Sequence, residues 1–432
     1  MRGMSGVSEA NGANRLGRMW LRSLICVVIR LRRIGTDVGD CERSSNDSSG
    51  GASRRKTEDG PGQYTSMNYE TPQFFRVMQY AAAADRDVID MASGSPDWEA
   101  PAGIGEGLHA YADLGGSDYQ YPPSEGVAEL REAIAARRNV DPESVVVTNG
   151  AGEANHLALA AALDRDAGSE VLLTDPVYPY YPGKTKLLGG TPRYVPVADD
   201  GQLDPAAVRE RAGSDTAAIV VNTPNNPTGA VYPEDTMGEL VAIAEDCGAV
   251  LVSDEVYDHF DYSGAFASAL GVDSAHRVVT NSFSKSMAIT GFRVGYGIFP
   301  PALRDAARTR HMLANVTGSR PAQYAVLEAL RSTDREYYAA NRDRLTERVA
   351  TFTDALDAVG AEYTTPDGAF YVMARFSGFP GTMANTQRLI DEAGVAGMPG
   401  ETFGETRVDW FRFALVTPEV EAAAERLAGF FD

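Results

Sequence analysis

Short apolar runs rich in β-branched residues alternate with helical patterns from about residue 111 to residue 300. The runs that predict strands are Val145–Thr148, Val171–Thr174, Ala218–Asn222, Ala249–Ser253 and Arg277–Asn281. Strands that alternate with helices form a mostly parallel sheet that is covered on both faces. The pattern therefore predicts an α/β fold, whose large domain has helices on both sides of the sheet.

Helical patterns connect several of these runs. Val127, Leu130 and Ile134 mark one apolar helix face, with Ser124 as its expected N-cap. Another helical pattern begins near Asn155. Notable polar residues follow the carboxyl ends of the predicted strands, where open α/β sheets bind ligands. We therefore expect the functional site at that edge of the sheet.

The C-terminal third has a different pattern. A long charged helical stretch covers roughly residues 321–360, isolated strands follow at Ala369–Met373 and Trp410–Ala414, and a last helix begins near Pro418. This pattern predicts a smaller α+β domain. We expect an N-terminal extension over residues 1–66 and a segment that contributes to the small domain over residues 67–110. The large domain would cover residues 111–318, and the small domain residues 319–432.

The first 60 residues differ from the rest in charge, with 11 basic and 7 acidic side chains. Their apolar run from Leu24 to Ile29 is too short to span a bilayer and poor as a signal-peptide core. We expect a disordered extension, or an over-extended start with the true initiator at Met67. Cys247 has no partner outside this segment, which predicts no disulfide and favours a cytoplasmic location.

The whole chain of 432 residues has a formal net charge of −21. So acidic a protein repels nucleic acid and anionic membranes, which excludes both as expected partners. Arginine supplies 35 of the 39 basic residues, and lysine only four. An acidic, lysine-poor composition would suit a protein that stays soluble in concentrated salt, so we hypothesise a halophilic protein.

Two kinds of site are not supported. The five histidines lack the spacing of metal ligands, so we expect no catalytic metal. Gly103-x-Gly105-x-Gly107 does not follow a predicted strand, which makes it a poor dinucleotide-binding motif.

Lys285 is one of the four lysines and lies between two serines directly after a predicted strand. Arginine can replace lysine as a charge, but it cannot act as an amine nucleophile. An amine at this position could form a Schiff base with a carbonyl group. Ser282, Ser284 and Arg293 would then supply donors suited to a phosphate.

Three further strand ends carry candidate residues. Asp254 and Tyr257 follow the strand Ala249–Ser253, where a buried aspartate could pair with a protonated ring nitrogen. Asn226 lies in a rigid turn after Ala218–Asn222 and could donate to a phenolate oxygen. Gly150 begins a strand-to-helix turn whose backbone N–H groups could bind phosphate.

Together these stretches resemble the class I and II aminotransferases, which are fold-type I enzymes that use pyridoxal 5′-phosphate. The matches are the turn Asn225-Asn-Pro-Thr-Gly229, the strand end Asp254-Glu-x-Tyr257 and the run Ser282-x-Ser-Lys285-x7-Arg293, in the family's order. The resemblance covers about residues 67–432. It implies transfer of an amino group between an amino acid and a 2-oxo acid, by a homodimer with shared active sites.

The resemblance also implies roles for individual residues. Lys285 would bind the cofactor as a Schiff base and later move the α-proton of the substrate. Asp254 would pair with the pyridine nitrogen, while Tyr257 and Asn226 would bond the phenolic oxygen of the ring. Tyr178 falls where relatives stack an aromatic ring on the cofactor.

The same resemblance places the phosphate and the substrate. Ser282 and Arg293, with the amides of Ala151 and Gly152, would hold the phosphate. Tyr121 matches a tyrosine that reaches the phosphate in the neighbouring subunit.

The expected substrate contacts come from distant parts of the chain. Arg412 would bind the α-carboxylate of the substrate, assisted by Asn226 and by the backbone of Gly94. Gly152 departs from certain aspartate-using relatives, which carry a lysine there that meets the distal carboxylate. This difference puts specificity for aspartate in doubt.

Two alternatives stay open from the sequence. The same scaffold supports elimination or decarboxylation of an amino acid, and the residues named here do not separate these reactions from transamination. A non-catalytic regulator that binds the cofactor is the other alternative. Its DNA-binding form is disfavoured by the acidic composition.

Overall fold

The computed structural model describes residues 72–165 and 167–432, and the expectations for residues 1–66 and for Met67 lie outside these ranges. The helices are α1 (Gln73–Ala83), α2 (Ala102–Ala112), α3 (Ala128–Arg138), α4 (Ala151–Leu163), α5 (Tyr180–Leu187), α6 (Pro205–Arg211), α7 (Glu234–Cys247), α8 (Phe283–Ser286), α9 (Pro301–Asn315), α10 (Arg320–Ser332), α11 (Arg335–Ala358), α12 (Met383–Arg388) and α13 (Val420–Phe431). Within the described ranges, no helix is both long and apolar enough to cross a membrane.

In the part of the chain that the structure describes, three sheets are built from thirteen strands. They are β1 (Ile89–Asp90), β2 (Val145–Thr148), β3 (Glu170–Asp175), β4 (Thr191–Pro196), β5 (Thr216–Asn222), β6 (Val250–Asp254), β7 (Arg277–Ser282), β8 (Gly295–Ile298), β9 (Glu362–Tyr363), β10 (Tyr371–Arg375), β11 (Val395–Ala396), β12 (Met398–Pro399) and β13 (Phe411–Ala414). The largest sheet has seven strands in the order β2-β8-β7-β6-β5-β3-β4. Strand β8 is antiparallel to both neighbours, while the other neighbouring pairs are parallel. The predicted mostly parallel sheet is therefore confirmed.

The central strands are buried on both faces because two hydrophobic clusters cover them. Val250 and Val252 of β6 pack in one cluster with apolar residues of α4. Leu251, the residue between them, packs in the other cluster with apolar residues of α7. Side chains alternate across a strand, so a strand covered on both sides needs apolar residues at consecutive positions. This explains the unbroken apolar runs in the sequence.

Two smaller sheets are formed by the C-terminal strands together with β1. Strands β12, β13, β10 and β9 form an antiparallel sheet in that order. Strand β1 pairs in parallel with β11, so the N-terminal part of the described chain is joined to its C-terminal part by backbone hydrogen bonds. The strands predicted at Ala369–Met373 and Trp410–Ala414 are present, with starts one or two residues later.

Two helix predictions need correction. The long helical stretch predicted over residues 321–360 is two helices, because Asp334 accepts a hydrogen bond from the Tyr337 amide and caps a new helix, α11. Ser124 does not cap α3, which begins at Ala128. Its hydroxyl donates instead to Glu125, at 3.0 Å.

The glycines of α2 have a packing role. Cβ atoms added at Gly103 and Gly107 would lie 2.7 Å from the Cα atoms of Ala329 and Ala325 in α10, whereas one added at Gly105 would meet open space. Gly103 and Gly107 therefore let α2 and α10 approach closely.

Candidate active site

Loops that follow β5, β6 and β7 border a cavity of about 730 Å³, a volume typical of small-molecule sites. Residues from each of these loops line it, at three or four positions after the strand end. The predicted site residues on its wall are Gly94, Tyr178, Asn226, Tyr257, Lys285 and Arg412. A cavity therefore lies at the edge of the sheet where the sequence predicts the functional site.

Lys285 lies in the short helix α8, directly after β7. Its Nζ donates to the Gly94 carbonyl oxygen and lies 5.8 Å from the centroid of the Phe370 ring. Burial lowers the pKa of Lys285 to about 8, and the charges of Arg412 and Arg293 act in the same direction. At pH 7 roughly a tenth of such an amine is uncharged, far more than for an ordinary lysine.

Arg412 lies in β13 and is buried, with 5% of its surface exposed. Its Nη1 donates to Asn226 Oδ1 at 3.1 Å and its Nη2 to the Ala92 carbonyl at 2.5 Å. The guanidinium also lies 4.5 Å from the centroid of the Tyr371 ring. No carboxylate of the described residues forms an ion pair with it, and its buried Nε has no hydrogen-bond partner. An unpaired buried cation favours binding of an anion.

Asp254 ends β6 and is 3% exposed. Its Oδ2 accepts hydrogen bonds from Asn155 Nδ2 and from the Tyr181 hydroxyl, both at 2.7 Å. Burial raises the pKa of Asp254, while these two donors lower it. A buried carboxylate that is held by neutral donors is well placed to pair with a cation of a ligand.

The turn after β5 holds Asn226 through Asn222. The Asn222 side chain donates to the Asp254 carbonyl at 2.8 Å and accepts from the Asn226 amide at 2.7 Å. The Asn226 side-chain oxygen accepts a hydrogen bond from Arg412. The Asn226 Nδ2 has no hydrogen-bond partner among the described residues, and it can donate to a ligand.

The turn between β2 and α4 meets Arg293. Gly150 has φ +80°, and a Cβ atom there would lie 2.4 Å from Arg293 Nη2, so the close approach requires glycine. Arg293 Nη2 donates to the Asn149 carbonyl at 3.2 Å. The amides of Ala151 and Gly152 are in the first turn of α4, where N–H groups have no intrahelical partner. A guanidinium and a helix N-terminus thus meet at a place suited to an anion.

Tyr257 contacts a tyrosine that the sequence analysis did not single out. The hydroxyls of Tyr257 and Tyr371 lie 3.1 Å apart and share a hydrogen bond. A Cβ atom at Gly94 would lie 2.1 Å from the Tyr371 hydroxyl oxygen, so only glycine fits there. Burial raises the pKa of both tyrosines, and both hydroxyls are protonated at neutral pH.

Some predicted residues do not line the cavity. Asp254, Ala151, Gly152, Ser282 and Arg293 lie outside its wall. Ser282 is buried and directly precedes α8. Tyr121 is 79% exposed and also lies apart from the cavity wall.

Several residues of the site were missed. Asn155 and Tyr181 hold Asp254, and Thr280 donates to Asn155 Oδ1 at 2.7 Å. Lys184 lines the cavity, and its place among only four lysines was a signal that could have found it. Tyr371 had no comparable signal, because nothing near it in the sequence distinguishes it from a core tyrosine.

Comparison with known proteins identifies the family. The model of the family described as aminotransferase class I and II matches residues 86–427. A probable aspartate/prephenate aminotransferase of Thermus aquaticus is 35% identical over 357 residues, which cover 79% of this chain and 91% of the relative. The aspartate/prephenate aminotransferase of Thermus thermophilus is 33% identical over 356 residues, which cover 79% of this chain and 90% of the relative.

Solved structures agree with this assignment. The aspartate aminotransferase of Thermus thermophilus with maleate has a TM-score of 0.76 at 32% identity, over 83% of this chain and 97% of the other. An aminotransferase from Mycobacterium tuberculosis has a TM-score of 0.78 at 28% identity, over 84% and 97%. The fold, the cavity and the sequence therefore lead to one conclusion: this chain belongs to the class I and II aminotransferases, enzymes that transfer amino groups between amino acids and oxo acids.

Proposed function

We propose that this aminotransferase uses pyridoxal 5′-phosphate, held in the cavity that Lys285 lines. The observation that carries the proposal is the position of Lys285, a half-buried side chain on the wall of a cavity, whose amine has its pKa lowered to about 8 by desolvation. A largely desolvated amine of lowered pKa is the form of lysine that attacks a carbonyl carbon.

The residues present fit this cofactor. Gly150 allows Arg293 to approach the first turn of α4, which gives a cradle for a phosphate that a Cβ atom would obstruct. Asp254 offers a buried carboxylate for a protonated ring nitrogen. Asn226 Nδ2 and the Tyr257 hydroxyl can donate to a phenolic oxygen, and Tyr178 offers an aromatic face.

The chain's residues then have separate tasks in our proposal. When bound, the cofactor ring withdraws electrons from the α-carbon of the amino acid. The ionised Asp254 keeps the ring nitrogen protonated. Arg412 orients the substrate through its α-carboxylate, because a planar guanidinium binds a carboxylate through two parallel hydrogen bonds. The Lys285 amine takes the α-proton and later returns it at another carbon.

The first test asks which lysine binds the cofactor. Borohydride reduction of the protein with pyridoxal phosphate, followed by peptide mass mapping, should place the modification on Lys285 and leave Lys184 and Lys186 unmodified. Lys285→Arg is the matched variant, because it keeps the charge and lacks the amine. Modification of another lysine at the same stoichiometry, with transamination unaffected in Lys285→Arg, would contradict the proposal.

Product analysis separates the alternatives of elimination and decarboxylation. Transfer conserves nitrogen, so a 2-oxo acid should form together with a new amino acid in equal amounts. Elimination or decarboxylation would release ammonia or carbon dioxide instead. The family match favours transfer.

We further propose that the substrate carries a second carboxylate. Lys184 lines the cavity, lies 5.4 Å from the Tyr180 ring centroid, and has no hydrogen-bond or ion-pair partner among the described residues. The relatives named above are aspartate/prephenate aminotransferases, which supports an acidic substrate. Gly152 offers no side chain for this purpose, so Lys184 would supply the charge.

The proposal also includes the assembly, the location and the salt adaptation of the protein. We infer a homodimer with shared sites, a cytoplasmic location and adaptation to salt. The exposed Tyr121 supports the first and the net charge of −21 with four lysines supports the last. The domain boundaries after residues 110 and 318 also stay predictions. Unfolding in low and high salt tests the adaptation, since highest stability at low salt would contradict it.

A further inference from the structure

The Asp254 carboxylate belongs to a buried hydrogen-bond chain of three side chains on three elements. Thr280 Oγ1 donates to Asn155 Oδ1 at 2.7 Å, and Asn155 Nδ2 donates to Asp254 Oδ2 at 2.7 Å. The exposed fractions are 0% for Thr280 and 3% for each of the other two. Asp254 and Thr280 are direct neighbours in the register of β6 and β7, and α4 packs over both strands.

The direction of this chain depends on the charge of Asp254. A side-chain amide donates through its nitrogen and accepts through its oxygen, and rotation by 180° exchanges the two. An ionised carboxylate only accepts, so it requires the amide nitrogen. The amide oxygen then faces Thr280, whose hydroxyl must donate. A protonated Asp254 would accommodate the opposite amide orientation.

We propose that Asn155 and Thr280 are positioning residues that keep Asp254 ionised and fix it against the cofactor's ring nitrogen. The inference rests on the proposed function, because it takes Asp254 as the partner of that nitrogen. Thr280 acts through Asn155. The Thr280 hydroxyl donates to the side-chain oxygen of Asn155, so that the side-chain nitrogen of Asn155 remains directed at the Asp254 carboxylate.

The other groups around Asp254 explain why these donors are needed. Burial is the largest influence on its pKa and favours the neutral acid. The titratable groups near it are Tyr181 and Lys184 of α5, with Tyr178 and Tyr257 from the adjoining loops. The tyrosines are neutral, and only Tyr181 among them donates to the carboxylate. Without Asn155, the hydrogen bond from Tyr181, a longer one of 3.2 Å from the Val256 backbone N–H, and the charge of Lys184 would oppose desolvation.

The test uses the full chain reconstituted with pyridoxal phosphate labelled with ¹⁵N in the ring. Thr280→Val replaces the hydroxyl with a methyl group of similar size, and Thr280→Ser is the matched control that keeps the donor. Asn155→Leu removes the amide. The ¹⁵N chemical shift of the ring nitrogen is followed against pH, and the cofactor dissociation constant is measured at pH 7.5.

We expect the ring nitrogen to move towards its neutral chemical shift in Thr280→Val and Asn155→Leu, at pH values where the unchanged enzyme and Thr280→Ser remain protonated. The cofactor dissociation constant should rise about tenfold in Asn155→Leu, because a hydrogen bond to a charged group is lost. A general packing defect would lower stability without moving the ring-nitrogen signal. If Asn155→Leu does not fold, the Thr280 pair alone decides.

The inference is overturned if Thr280→Val and Asn155→Leu keep the ring nitrogen signal and the dissociation constant of the unchanged enzyme. Failure of the proposed function has a different signature. The unchanged enzyme would then show no cofactor attached to Lys285, and both proposals would fall together. Attachment to Lys285 with unaltered ring protonation in the variants would remove only the role of Asn155 and Thr280.

Discussion

At the residue scale, the cavity is lined by two largely desolvated cations that form no ion pair with a carboxylate of the described residues. Lys285 and Arg412 both line the cavity, and neither forms an ion pair with a described carboxylate. Burying unpaired charge costs stability, so such an arrangement is retained where a ligand supplies the missing charge. The sequence predicted a role for both residues, for Lys285 from its place between two serines after a strand and for Arg412 from the family resemblance.

The pKa of Lys285 leads to a prediction about pH. The uncharged amine attacks the cofactor, so the attachment rate of the apoenzyme should rise about tenfold per pH unit below pH 8 and level off above it. Arg412→Gln removes a charge that lowers this pKa, so its midpoint should move to higher pH. Stopped-flow absorbance measures both. A rate that still rises at pH 10 in the unchanged enzyme would contradict the prediction.

Lys184 leads to a prediction about specificity. Lys184→Met should raise KM for an acidic amino acid at least about tenfold and leave KM for an apolar one nearly unchanged, because only the acidic substrate loses a charged partner. Lys186→Met is the matched control, since Lys186 lies on the same helix but is exposed and lies outside the cavity wall. Steady-state kinetics with both substrates checks this. Equal losses for the two substrates would count against a role in specificity.

At the element scale, the sequence predicted those strands that are marked by a local run of apolar residues. The five predicted strands of the large sheet are present within about two residues of their expected bounds, because each is a continuous apolar run. Strand β4 was missed because it lies at the sheet edge, contains Pro192 and Pro196, and is mostly exposed. Strand β8 contains two glycines in four residues and gave no strand signal.

The hydrogen-bond chain through Asn155 shows what local pattern cannot give. Asn155 and Thr280 are 125 positions apart, and their contact depends on how α4 packs over β6 and β7. No spacing rule within either segment encodes that packing. The same holds for Arg412 and Asn226, which are 186 positions apart. The sequence therefore located the ends of the strands that form the site, while the tertiary fold determined which side chains meet.

The contact between α2 and α10 leads to a prediction about stability. Gly107→Ala should destabilise the protein by about 1–3 kcal/mol, because the added Cβ would lie 2.7 Å from the Ala325 Cα and the helices would have to separate. Gly105→Ala should instead stabilise it by up to about 1 kcal/mol, since that position is open and alanine favours a helix. Urea unfolding measures both free energies. Similar effects of the two substitutions would show that close packing is not the cause.

At the scale of the whole molecule, the cavity has residues from both ends of the described chain on its wall. The wall includes Phe74 of α1, Lys285 directly after β7 and Arg412 of β13. The pairing of β1 with β11 brings the N-terminal part of the described chain beside the C-terminal part that carries Arg412. Arg412 and Asp254, to which the proposed function assigns the substrate carboxylate and the cofactor ring, therefore lie on different sheets, and the proposed site requires both.

Tyr121 leads to the last prediction, which concerns the assembly. It is 79% exposed in a single chain, and a tyrosine that served its own chain's site would be expected at the cavity. If Tyr121 completes the site of a partner subunit, Tyr121→Ala and Lys285→Ala homodimers should each be nearly inactive. A hybrid dimer would nevertheless contain one site with both residues intact.

Mixing the two variants after mild dissociation should therefore restore activity. With random exchange, half of the dimers are hybrids with one intact site each, so the mixture should reach about a quarter of the unchanged enzyme's activity. Light scattering confirms the dimer before and after exchange. If Tyr121 acted within its own chain, no subunit combination would bring it together with Lys285, and the mixture would stay as inactive as its components. Restored activity thus distinguishes a shared site from two independent ones.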